Sequence, residues 1–119
     1  MSEPRYRPRD YCLDWHGFGK ALHVRWRPLT GAEASRIAAA RMQHLWAVRI
    51  RERARAERIP LKMYAERVGT SYDRLLKLLR GDLIMRLEDV GMAELVLGDV
   101  VDAVSPFRPM RDGVPAGRG

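Results

Sequence analysis

At 119 residues, 46% of them hydrophobic, the chain has material for one modest core and no room for a second domain of comparable size. Lys and Arg outnumber Asp and Glu by 22 to 15, a net charge of +7 that points toward an anionic partner such as nucleic acid. A single cysteine, Cys12, excludes an intramolecular disulfide and a multi-cysteine zinc site, and no segment approaches the roughly 20 uncharged apolar residues of a membrane span.

Nineteen of the 22 cations are Arg, a bias that suits bidentate contacts to phosphate and guanine and that GC-rich coding would also produce. Charges at the N-terminus, in place of the hydrophobic run of a signal peptide, lead to the expectation of a cytoplasmic, nucleoid-associated protein. Residues 1–10 are polar and basic, with Arg5, Arg7, Arg9 and two prolines and no periodicity, and read as a flexible arm. Residues 11–44 read as a β-hairpin plus a helical extension. Tyr11, Leu13 and Trp15 alternate with polar residues, as do Leu22, Val24 and Trp26, and His16-Gly-Phe-Gly-Lys20 supplies a link with two glycines. A lone hairpin is marginal in water, so its aromatic face should dock on the helices or on a second copy. The other use is a wing, with His23, Arg25 and Arg27 lying along a phosphate backbone.

Thr30-Gly-Ala-Glu33 has capping-box spacing, and from there to Arg58 no Pro or Gly interrupts a long helix, or two closely joined. Ala34, Ala38, Met42 and Leu45 share one face, and Trp46, Ile50 and Ala54 another. Arg49, Arg51, Arg53, Arg55 and Arg58, interrupted by Glu52 and Glu57, read as a solvated face with local ion pairs.

The most informative stretch runs from Ile59 to Gly81. Leu61, Tyr64, Ala65 and Val68 follow the i, i+3, i+4, i+7 pattern of one helix face, entered through Pro60 and closed by Gly69. Thr70 or Ser71 caps a second helix, with Asp73 at capping-box distance from Thr70, and Leu75, Leu78 and Leu79 form its buried stripe up to Gly81. Small Ala65 lets the two helices cross closely. This arrangement resembles the helix-turn-helix of the Cro and lambda-type phage repressor family. Leu45–Arg58 would be that family's first helix and Leu87–Leu97 its fourth, with Asp99–Val104 as a short fifth, so the helix-turn-helix domain spans 45–104. The expected fold is therefore mainly α, a lambda-repressor-like bundle of about five helices behind an N-terminal hairpin. Residues 105–119, with three Pro and three Gly, read as a disordered tail.

The resemblance implies a sequence-specific double-stranded DNA-binding protein, a repressor-like transcriptional regulator acting as a homodimer, with the helix from Ser71 to Arg80 in the major groove. By position, Ser71, Tyr72, Asp73, Arg74 and Lys77 are the base-reading candidates. Lys77 can donate to guanine, Asp73 can accept from a cytosine amine or simply pair with Lys77, and Tyr72 can cover a thymine methyl. Lys62, Arg67, Arg80 and Arg86, with backbone N–H groups near Thr70 and Asp82, are the phosphate-anchoring candidates. Pro60 and Leu61 stand where the family commonly has a polar DNA-contacting residue. No catalytic residue, metal or cofactor is expected: His16, His23, His44 and Asp14 lack metal-ligand spacing, and no Ser or Cys nucleophile pattern accompanies them. A non-specific architectural DNA binder and a protein-interaction module, such as an antitoxin or accessory factor using the N-terminal region, share the same fold expectation.

Overall fold

The computed structural model describes residues 6–101. Four α-helices make up its frame: α1 (Ala34–Ala56), α2 (Leu61–Val68), α3 (Tyr72–Arg80) and α4 (Leu87–Val96). The expected helical extension and the expected first helix of the bundle are thus one continuous 23-residue helix. Ala47, Ile50 and Ala54 of α1, Tyr64 and Ala65 of α2, Leu75 and Leu79 of α3 and Ala93 of α4 close the main core, and Tyr11, Ile37 and Ala40 form a second, smaller cluster. Four residues of the main core are alanines, which lets short helices cross at close range.

Gly69 ends α2 in the left-handed region at φ 77°. Its N–H and that of Thr70 donate to Glu66 O and Ala65 O, so the turn consumes the last carbonyls of α2. Ser71, and not Thr70, caps α3: its Oγ accepts the Arg74 N–H at 3.0 Å. Gly81 ends α3 in the same left-handed way, at φ 80°.

Two expectations fail here. Asp99–Val101 form bends and a turn, not the start of a fifth helix, and residues 102–104 lie outside those described, as does the expected tail. Glu94 accounts for that turn, because its carboxylate accepts the N–H groups of Asp99, Val100 and Val101. The N-terminal hairpin is likewise absent. Among the described residues antiparallel pairing is confined to one bridge, Cys12 with Trp26, supported by Leu13 N–H to Arg25 O and Arg27 N–H to Tyr11 O. The flanking chain forms 3-10 turns at Pro8–Tyr11 and Trp15–Gly17.

Long-range contacts explain why the ladder stops. Phe18 is buried at 1% exposure and Gly19 donates its N–H to His44 Nδ1 of α1 at 2.8 Å, which pulls the link between the expected strands down onto the helices. A Cβ on Gly19 would run into Leu79 O. Adjacent Tyr11 and Cys12 are both buried while Leu13 and Trp15 are exposed, so the period-two pattern is not used. The result is a strap docked on its own helices. The first five residues lie outside those described, but residues 6–10, expected within a flexible arm, belong to this strap. Pro8 is buried, Arg9 N–H donates to Gly81 O, and Arg9 pairs with Asp82 at 3.0 Å. The expected Thr30 capping box does not form either: Thr30 makes no side-chain cap, and Glu33 accepts instead from the Tyr11 hydroxyl and Arg27.

Two buried polar side chains of α1 fasten the helix-turn-helix. Gln43 donates from Nε2 to Leu78 O (2.9 Å) and Leu83 O (2.8 Å), and its Oε1 accepts the Met85 N–H (2.8 Å). One amide thereby fixes the end of α3 and the link to α4. His44 accepts from Gly19, so its hydrogen sits on Nε2, directed at Leu22 O. Phe18 and Trp26 stand edge-on to its ring. Burial lowers its pKa from 6.5 against the opposing pull of the Leu22 and Ala21 carbonyls. Among the described residues no helix is long and apolar enough to cross a membrane.

Candidate nucleic-acid interface

The turn at Gly69 projects α3 so that Leu75, Leu78 and Leu79 face inward and the opposite side meets solvent. On that open side Asp73 and Lys77, one turn apart, pair at 3.1 Å with side-chain exposures of 75% and 45%. Two exposed, mutually paired groups are cheap to separate. Tyr72 is 42% exposed at the start of the helix. Ser71 is committed to its cap, which leaves its side chain one acceptor lone pair and its own hydrogen.

Arg74 does not join this face. It makes a bidentate pair with Asp89 of α4, both bonds 3.0 Å, and a 3.3 Å contact with Thr70 Oγ1. Burial alone would raise the Asp89 carboxyl. The Arg74 hydrogen bonds, the Arg86 N–H and the charges of both arginines outweigh it, and the pKa lies below the ordinary 3.8. Arg74 is a tie between α3 and α4, because its position round the helix turns it toward α4. Tyr64, buried beneath the same junction, has its hydroxyl pKa pushed up to about 12 by burial and then by the Asp89 charge.

The phosphate-anchoring candidates divide as well. Lys62 is exposed, and so is Arg67, which lies 3.4 Å from Met63 Sδ. Arg86 is 65% exposed at the start of α4, 3.8 Å from Asp89, and shares a cleft of about 440 Å³ with Arg7. Arg80 is 42% exposed and contacts Asp82 at 3.3 Å. Of the backbone donors expected near Thr70 and Asp82, those of the two residues themselves are spent: Thr70 N–H goes to Ala65 O and Asp82 N–H to Lys77 O, both in the closing turns of helices. The Asp82 carboxylate holds Arg9 and Arg80 and is no phosphate ligand.

Sequence reasoning missed Arg51 and Arg55. Among the described residues neither forms an ion pair with a carboxylate. Arg49 and Arg53 reach instead to the end of α4, donating to Asp99 O and to Gly98 O and Leu97 O. The signal was in the spacing, since residues two apart on a helix lie on opposite sides. Among the described residues no group of three or more His, Cys, Asp or Glu is placed to hold a metal ion. Comparison of the chain with protein-family models, curated proteins and solved structures finds no match.

Proposed function

We propose that the chain is a sequence-specific double-stranded DNA-binding protein, a repressor-like regulator that inserts α3 into the major groove. The observation that carries this reading is the α2–Gly69–α3 unit. Two short helices meet at a left-handed glycine, and the second is fastened from behind by Gln43 and Arg74 while Tyr72, Asp73 and Lys77 stand open in front. Backing of this kind suits a reading surface, because base recognition needs side chains held in register.

Two copies are part of the proposal. Leu87, Gly91 and Leu95 recur every four residues along α4, both leucines are 81% exposed, and a Cβ at Gly91 would meet nothing within 4 Å. That order reads the same in both directions, as an antiparallel contact between two identical helices needs. In the equilibrium test, Lys77→Ala costs roughly 1 to 3 kcal/mol on a preferred duplex and relaxes the preference, whereas Lys62→Ala weakens all duplexes evenly. Equal, sequence-independent losses from both changes would refute base reading by α3.

A further inference from the structure

The arginines in the second half of α1 are sorted onto two faces. Arg49 and Arg53, one turn apart, are consumed by Glu52, Glu57 and the end of α4. Arg51 and Arg55 are also one turn apart and lie roughly 200° round the helix from them. The charged and titratable groups that bear on Arg51 are Arg55, Tyr72 and Arg80. α1 packs against α3 through Ala47, Ile50, Leu75 and Leu79, and Tyr72, Leu76 and Arg80 fall four residues apart on one stripe of α3, so Arg51 and Arg55 lie near the edge of α3 that carries a third guanidinium and a phenol.

That edge is short of negative charge. Arg51 and Arg55 have no carboxylate partner among the described residues, and Arg80 shares Asp82 with Arg9. Arg51 Nε is buried with no acceptor. Burial, followed by the charges of Arg55 and Arg80, lowers the Arg51 pKa, yet a guanidinium stays protonated and cannot relieve the repulsion by losing its proton. Gathering like charges partly out of water costs stability. An anion offering acceptors on several sides removes that cost, and a tetrahedral phosphate matches guanidinium forks arriving from two helices better than a flat carboxylate does.

We propose that Arg51 and Arg55 of α1, together with Arg80 of α3, form a phosphate clamp, and that on duplex DNA it seats a backbone phosphate beside the groove that α3 enters. The placement on duplex rests on the DNA-binding reading above; the clamp itself does not. Tyr72, at the other end of the stripe, supplies a hydroxyl donor to the same or a neighbouring phosphate.

The test compares the full chain with R51Q/R55Q, R51K/R55K and R55Q, each checked for a native circular dichroism spectrum. R55Q changes an exposed side chain and keeps the test usable if the double variant fails to fold. Duplex affinity is measured against salt, and the Arg Nε–Hε signals are followed by NMR during titration with inorganic pyrophosphate. The clamp predicts that R51Q/R55Q weakens duplex binding roughly tenfold and lowers the salt slope by about one to two, with sequence preference unchanged. R51K/R55K keeps the slope while losing part of the affinity, and pyrophosphate shifts Arg51 and Arg55 in the parent chain. An unchanged slope in a duplex-binding chain overturns the proposal. If no duplex binds but pyrophosphate moves Arg51 and Arg55, the clamp stands and the DNA reading falls; if neither binds, both fall.

Discussion

At the scale of single residues, the side chains that hold α3 and the strap in place are those whose polarity suggested solvent. Gln43 looks like an ordinary surface residue of a long helix, yet it is buried and makes three hydrogen bonds to the α3–α4 region. Gln43→Leu leaves Leu83 O and the Met85 N–H without their partner and takes one of two donors from Leu78 O, which keeps the Gly81 N–H. We expect a loss of roughly 3 kcal/mol in urea unfolding, with α3 loosened before α1 in hydrogen exchange. His44 gives a pH signature. Its pKa is depressed in the folded chain, so below the ordinary 6.5 the unfolded chain binds a proton that the folded chain refuses. Stability should therefore fall as pH drops from 6.5 toward the folded value, and His44→Gln should flatten that slope between pH 7 and 5. Neither role is legible from the sequence, because a buried amide or imidazole is identified only by partners distant in the chain: Leu83 for Gln43, Gly19 for His44.

At the scale of elements, legibility follows the range of the deciding contacts. The α2–Gly69–α3 turn was readable because its determinants are local: the apolar spacing of Leu61, Tyr64, Ala65 and Val68, the left-handed glycine, and a cap from Ser71. The strap was not readable, because alternation at Leu13 and Trp15 is overruled by Phe18 and Gly19 docking against α1 and α3. The two terminating glycines separate these effects. Gly69→Ala places a Cβ in open space at φ 77° and should cost about 1 kcal/mol from backbone strain alone. Gly81→Ala adds a clash, since its Cβ would stand 2.9 Å from the Phe18 ring and 3.0 Å from Arg9 Cβ. Thermal unfolding should show the larger loss at Gly81, together with increased proteolysis of the strap; equal losses would show that the strap is not packed against the end of α3.

At the scale of the molecule, the excess of positive charge is not spread evenly in its use. Arg49, Arg53 and Arg74 tie elements together, while Lys62 and Arg55 are exposed, Lys77 pairs only with its neighbour Asp73, and Arg51, half-buried, has no carboxylate partner among the described residues. The composition showed the excess but not this division, which depends on which carboxylates the fold places nearby. Pairing of two copies through α4 would bury Leu87 and Leu95 of each chain, at about 2 kcal/mol per leucine. Sedimentation velocity should therefore report a dimer for the parent chain and a monomer for Leu87→Glu/Leu95→Glu. The central claim, reading of DNA sequence by α3, is tested most directly by selecting retained duplexes from a random pool at near-physiological salt and sequencing them. The account predicts a palindromic motif whose half-sites lie about one helical turn apart and whose preference is relaxed by Lys77→Ala. Retention without any motif, falling steeply as salt rises, or no retention at all, would contradict it.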